Sequence, residues 1–335
     1  MKLATYRDGS RDGQLVVVSR DLSQAHYATG IANTLQQVLD DWTFLAPQLQ
    51  DLSSQLQAGR ARHAFPFDPQ QCLAPLPRAY QWAVAAAFPA HAELAQRAGA
   101  DDVALTANSR EPCIRQAASD DLRGPCDTVN LPSAALGIDA EAGLAAVLGD
   151  VRCGTPAEQA GGAIRLLALA CEITLRQPLP AERAAGVGLF HSKPTTVFSP
   201  VAVTPDELGE AWAEGRMRLT LQTACNGRKL GLCDAGAMAW SFPELIAHLA
   251  RTRNLRAGTL LGTGPVSVPG VPAEAPTEWP QGHSCLAEKR WAETLVHGQP
   301  RTPYLQPGDT VRVEMKNRQG QSLFGAIELE MAVAQ

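Results

Sequence analysis

The chain has 335 residues, 45% of them hydrophobic and 19% charged, so it can bury a large core and is not disordered. A net charge of −5 excludes a global basic field that would recruit nucleic acid or anionic lipid, though a local basic patch stays open. The length fits one large domain or two unequal ones.

Met1 to Asp8 lacks the apolar core of a secretory leader. Residues 1–75 read as a small N-terminal α+β module. Lys2 to Tyr6 and Gln14 to Ser19 alternate as two short strands around a Gly-rich turn. Ile31 to Leu56 sets Leu35, Val38, Leu39, Trp42 and Leu45 on one helical face, with a break expected at Pro47. A Pro-rich stretch from Phe65 to Pro77 marks a domain boundary, leaving 76–335 as the larger domain. Tyr80 to Arg97 reads as an Ala-rich helical or lid segment broken at Pro89, and 100–130 as a polar surface excursion.

Strand patterns dominate from Leu136 onward. Ala140 to Leu148 is one strand, and Ala163 to Leu175 mixes helical and strand signals. The apolar run Ile164 to Cys171, interrupted by Arg165, is too short to span a bilayer. Arg218 to Cys225 alternates toward Asn226-Gly227, whose preference for positive φ marks a two-residue hairpin turn. Phe242 to Thr252 is an amphipathic helix. Thr310 to Met315 and Ser322 to Met331 form a last pair of strands, turned at Asn317 to Gly320. The eight cysteines stand singly with no C-x-x-C spacing, so they read as reduced, buried small hydrophobes without ligand roles. A soluble cytoplasmic protein is expected, with no membrane or nucleic-acid partner.

Several stretches carry a resemblance. They are Ser192-Lys193-Pro194 within Phe190 to Glu207, Cys225-Asn226-Gly227, Arg253 to Gly258, Gly262-Thr263-Gly264, Ser284 to Arg290 and Pro307-Gly308-Asp309. In this order and spacing, residues 76–335 resemble the fumarylacetoacetate hydrolase superfamily, in its longer bacterial branch. The resemblance implies an α+β, predominantly β fold: a mixed β-roll with packed helices, forming a homodimer. It implies a small anionic carbonyl substrate, a 2-oxo or 1,3-dicarbonyl acid, chelated by Mg²⁺ or Ca²⁺ on carboxylates. It also implies a His–Glu dyad that activates water.

Matched residue by residue, the resemblance keeps the dyad as His91 and Glu288, and the anion-holding cations as Lys193 and Arg176. An imidazole held by a carboxylate is a good general base near neutral pH. Lys193 stands in apolar company, between Phe190 and Val197, where an unpaired charge is unexpected. The metal ligands are eroded. Glu141 survives, Glu172 replaces an aspartate, and the other two acids align with Val84 and Gly143. Arg115 stands where a substrate-contacting tyrosine is expected, and Pro265 where a threonine is. Asp139 shares a strand face with Glu141 and Gly143, so it could reach the site as a substitute ligand.

The reading that follows is an enzyme acting on a 2-oxo or 1,3-dicarbonyl carboxylic acid without a metal. Lys193, Arg176 and Arg115 bind the anion, and His91 with Glu288 moves protons. C–C cleavage, tautomerisation, decarboxylation and condensation all fit. Two alternatives stand beside it: a metal-dependent C–C hydrolase holding weak Mg²⁺ or Ca²⁺ on Glu141 and Glu172, and a non-catalytic binding protein.

Overall fold

The computed structural model describes residues 1–100, 110–270 and 279–333. Strands β1 (Lys2–Tyr6), β2 (Gln14–Val18), β3 (Gln24–Tyr27) and β4 (Phe65–Pro66) form an antiparallel meander, with helices α1 (Leu35–Asp40) and α2 (Trp42–Gln57) inserted before β4. The chain continues through β5 (Gln81–Ala85), α3 (Pro89–Arg97), β6 (Ile114–Ala117), β7 (Thr128–Leu131) and β8 (Ile138–Leu148). Next come α4 (Ala157–Ala160), β9 (Ile164–Leu175), α5 (Leu179–Ala185), β10 (Thr196–Phe198) and β11 (Ala202–Val203). The final part comprises β12 (Trp212–Ala213), β13 (Arg216–Met217), β14 (Thr220–Cys225), β15 (Arg228–Asp234), α6 (Phe242–Leu249), β16 (Thr259–Pro265), α7 (Leu286–His297), β17 (Thr310–Met315) and β18 (Ile327–Val333).

The main sheet runs β4-β3-β2-β1-β11-β9-β8-β16-β5-β6, with β10 also on β9. Because β1 pairs with β11, the N-terminal meander extends the sheet of the larger domain. A second sheet runs β15-β14-β17-β18-β7. Strands β8 and β9 lie at the centre and are buried on both faces. Leu144, Ala146, Leu167 and Leu169 join the core on one face. Ala145, Val147, Leu166 and Ala168 pack on the other with Leu35, Val38 and Leu49 of α1 and α2. Burial on both faces removes the period-2 alternation, which is why 163–175 carried mixed signals yet forms one long strand.

Other expectations shift for similar reasons. A capping box of Thr34 and Gln37 opens α1, and the break in the 31–56 helix falls at Asp41, which ends α1 and precedes α2; Pro47 sits inside α2. The start of the Ala-rich 80–97 segment is a strand, because Trp82 to Ala85 are buried between β16 and β6 and sheet pairing overrides alanine's helix preference. The 100–130 stretch supplies β6 and β7 to the two sheets, residues 101–109 lying outside those described. Lys193 lies in the loop before β10, and Phe190 is exposed rather than part of an apolar strand. Asn226 (φ 49°) and Gly227 (φ 72°) form the hairpin turn between β14 and β15, as expected. Among the described residues, no helix is long and apolar enough to cross a membrane.

Candidate active site

The register of β8 on β9 sets Glu141 directly opposite Glu172, and Asp139 opposite Thr174. Like charges opposed across two strands repel, so this face needs compensation. Three cations supply it. Lys193 Nζ lies 2.5 Å from Glu141 Oε2, 2.7 Å from Thr174 Oγ1 and 4.0 Å from Glu172 Oε2. Arg176, just past the end of β9, donates to Glu141 Oε1 at 2.7 Å and to Asp139 Oδ2 at 2.8 Å. Arg115, on β6, donates through Nη2 to Glu172 Oε1. Burial pushes the Glu141 carboxyl up, but Lys193 and Arg176 more than reverse this and hold it well below the usual carboxylate range.

The loop that delivers Lys193 is itself anchored. The Glu182 carboxylate, on α5, accepts the backbone N–H groups of Phe190 (3.1 Å), His191 (2.6 Å) and Ser192 (2.9 Å). Nothing in the sequence singles out Glu182, since its partners, three main-chain amides and the Ser192 hydroxyl, lie eight to ten residues away.

Asp139 does not substitute for a lost ligand. It is fully buried, and its oxygens accept from Arg176 and from the backbone N–H groups of Leu286 (2.8 Å) and Ala287 (3.0 Å) at the start of α7. A carboxylate at a helix N-terminus is stabilised by the unpaired amides there. Asp139 therefore ties α7 to β8 and fixes the first turn, which carries Glu288.

Glu288 Oε1 lies 2.7 Å from His91 Nδ1, joining α7 to the first turn of α3. This contact leaves Nε2 as the other nitrogen of His91 able to take or give a proton. Trp291 packs edge-on against the His91 ring at 5.1 Å and lies beneath the Arg176 guanidinium at 5.6 Å. His283 Nδ1 stands 3.6 Å from Glu288 Oε2, so two histidines face one carboxylate. Sequence reasoning missed His283 and Trp291. His283 lies immediately before the Ser284 to Glu288 motif, and Trp291 one turn after Glu288; adjacency was the available signal.

Burial pushes the Glu288 carboxyl up, but hydrogen bonds from His283 and His91 bring it down to about 2. A depressed carboxyl stabilises the fold above its unfolded value and loses that effect as pH falls through its folded value. Glu288→Gln is therefore expected to flatten the stability profile between pH 4.5 and about 2. It should also lower neutral-pH stability by up to roughly 3 kcal/mol. Urea unfolding across that range checks both.

A cavity of about 260 Å³ opens onto this cluster. His91, Arg115, Glu141, Glu172 and Lys193 line it; Arg176 and Glu288 stand behind the lining. The structure thus brings the seven candidate residues together but divides them. Arg176, expected to touch substrate, is bound to Asp139 and Glu141 behind the wall. Arg115 Nη1 is buried and has no hydrogen-bond partner among the described residues.

The residues do not fit a hard divalent cation. Such an ion needs several free carboxylate or carbonyl oxygens, and both Glu141 and Glu172 are engaged by cations. Val84 and Gly143 offer no side-chain oxygen. At Gly143 a Cβ would collide with the Gly264 carbonyl oxygen, because a bulge in β16 brings Gly264 and Pro265 against β8. Main chain fills the space that a side chain at this position would need. Nor is Cys285 a ready donor, although its sulfur, His91 and Glu288 lie within 4.8 Å of one another. Burial, with Asp139 and Glu288 close by, pushes the Cys285 thiol well up and keeps it protonated. Cys285 is buried, in keeping with the reading of the cysteines as small hydrophobes, whereas Cys153 is exposed and departs from it.

Residues 1–78 match the family model for the fumarylacetoacetase N-terminal domain 2, and residues 81–330 that for the fumarylacetoacetate (FAA) hydrolase C-terminal region. Among solved structures, a putative HpcE protein from Mycobacterium smegmatis is similar at 17% identity and TM-score 0.65, with all of both chains covered. A maleylpyruvate hydrolase from Sphingobium sp. SYK-6, in complex with manganese(II) and pyruvate, is similar at 14% and 0.65 over the whole of both chains. A fumarylacetoacetate hydrolase from psychrophilic Exiguobacterium antarcticum is similar at 16% and 0.65, again with both chains fully covered. No curated protein matches the chain. At these identities the structural likeness establishes the fold, a mixed α/β arrangement of large sheets.

Proposed function

The chain belongs to the fumarylacetoacetate hydrolase family, and we propose that it acts on a 2-oxo or 1,3-dicarbonyl carboxylic acid by metal-independent acid–base chemistry. The observation that carries this reading is the pairing of Glu141 and Glu172 with Lys193, Arg176 and Arg115. Fixed cations occupy the place where the resemblance expects an ion. The names of neighbours support the substrate type: one is a probable 2-hydroxyhepta-2,4-diene-1,7-dioate isomerase, another a maleylpyruvate hydrolase.

The intermediate common to the reactions considered is an enolate, which tautomerisation and condensation reach by loss of a proton from a carbon next to a carbonyl. His91 Nε2 takes that proton. The C–H electron pair becomes the C=C bond of an enolate, and the carbonyl π pair moves onto oxygen. Lys193 has three N–H donors, two of them directed at Glu141 and Thr174, and its charge favours the enolate oxygen. Glu288 stabilises the imidazolium through Nδ1. Return of the proton to a different atom completes a tautomerisation. In C–C cleavage the keto form is retained, and His91 takes a proton from water as its oxygen adds to the second carbonyl. Collapse of that adduct breaks the C–C bond, whose electron pair leaves as the enolate and is then protonated at carbon.

The test follows deuterium incorporation at C3 of 2-oxobutyrate in D₂O by NMR, with excess EDTA and then with Mg²⁺. The expected rate is the same in both. Loss of exchange in EDTA, restored by Mg²⁺, would establish the metal-dependent reading instead.

A further inference from the structure

From the charges lining the cavity, we infer that its ligand carries a single carboxylate, held by Arg115, and an apolar far end. This rests on the proposal above that the cavity takes a carbonyl acid, and it narrows the class.

The lining carries three carboxylates, Glu141, Glu172 and Glu182, and three cations, Arg115, Arg183 and Lys193. They cancel, so no surplus positive charge awaits a dianion. The pairing is also close, since Lys193 and Arg115 each already contact a buried glutamate. One donor group stands out. The two N–H bonds of Arg115 Nη1 are buried and lack a partner among the described residues, while Nη2 holds Glu172. An unsatisfied buried donor is costly, and a carboxylate oxygen placed there relieves it with a charge-assisted bond.

The rest of the wall offers little to a second carboxylate. Phe88, Leu189, Trp240 and Pro265 line it with carbon, and an ionised group against such a surface loses hydration without replacement. An alkyl or aryl tail has the opposite preference. Arg115 itself is positioned by pairing with Val84 across β5 and β6, and that valine contributes apolar lining beside it.

Isothermal titration of the full chain in EDTA tests this with three acids: 2-oxohexanoate, 2-oxoglutarate and hexanoate. The expected order places 2-oxohexanoate at least about tenfold tighter than 2-oxoglutarate, one decade being about 1.4 kcal/mol. Equal or tighter binding of 2-oxoglutarate overturns the inference, as does failure of both 2-oxohexanoate and hexanoate to bind. Hexanoate binding as well as 2-oxohexanoate, with 2-oxoglutarate weak, upholds the single-carboxylate class while counting against the carbonyl-acid reading. The double variant Arg115→Gln/Glu172→Gln, which leaves neither partner as a bare charge, should bind 2-oxohexanoate at least about tenfold more weakly. Unchanged affinity in that variant removes Arg115 from the site. Should the variant not fold, the comparison of acids on the unaltered chain still decides.

Discussion

Glu141→Gln is expected to lower the free energy of unfolding by about 3–5 kcal/mol, measured by urea denaturation in EDTA. The size follows from what the substitution strands. Lys193 and Glu141 are both about 5% exposed, and the amide leaves the Lys193 ammonium with Thr174 and a Glu172 oxygen 4.0 Å away. Removing one member of a buried pair costs far more than the pair itself contributes, because the survivor keeps its desolvation penalty. The sign is the informative part. If Glu141 and Glu172 were metal ligands awaiting an ion, two carboxylates opposed across β8 and β9 would repel in EDTA, and Gln would raise stability. A stabilised variant would therefore overturn the ion-paired description. Replacing both partners, as in Glu141→Leu/Lys193→Met, should recover most of the loss, since a well-packed apolar pair is often neutral against a buried ion pair.

That contrast also explains how far the site was legible beforehand. The family resemblance implied a dyad of His91 and Glu288, 197 residues apart in the chain, and their side chains lie 2.7 Å apart. Alternation along β8 correctly put Asp139 on the face of Glu141 and Gly143. It could not show what that face meets. The amides of α7 claim Asp139, and this depends on where a helix 147 residues later docks. Gly143 read as a ligand removed. The β16 bulge also places the Gly264 main chain where a side chain at Gly143 would lie, a consequence of strand pairing that one strand's sequence does not contain. Arg115 was visible as a departure from the expected tyrosine, but its approach to Glu172 requires β6 and β9, which are not neighbours in the sheet, to converge on one cavity. Local signals fared best where the answer was local, as at Asn226-Gly227. They fared worst at β5, where burial between two strands overrode an alanine-rich composition.

His91→Ala is expected to slow C3 deuterium exchange of 2-oxobutyrate by about 10²–10⁴-fold, the usual loss when a positioned general base is removed. Glu288→Gln should slow it less, because the imidazole remains in place while its imidazolium loses the carboxylate that stabilises it. Binding of the acid, read by titration calorimetry, should change little in either variant, since Arg115 and Lys193 are untouched. The two readouts separate chemistry from architecture. His91 sits in the first turn of α3 with its ring against Trp291, so its loss opens a small cavity at the edge of a minor hydrophobic cluster. A purely packing role predicts a modest loss of stability with exchange intact. A base predicts the reverse, and also partial recovery of exchange when imidazole is added to the His91→Ala variant, because the vacated space adjoins the cavity and imidazole restores the missing nitrogen. Exchange that survives in His91→Ala at the unaltered rate would remove the dyad from the chemistry and leave a cation-lined pocket that binds its acid without turning it over.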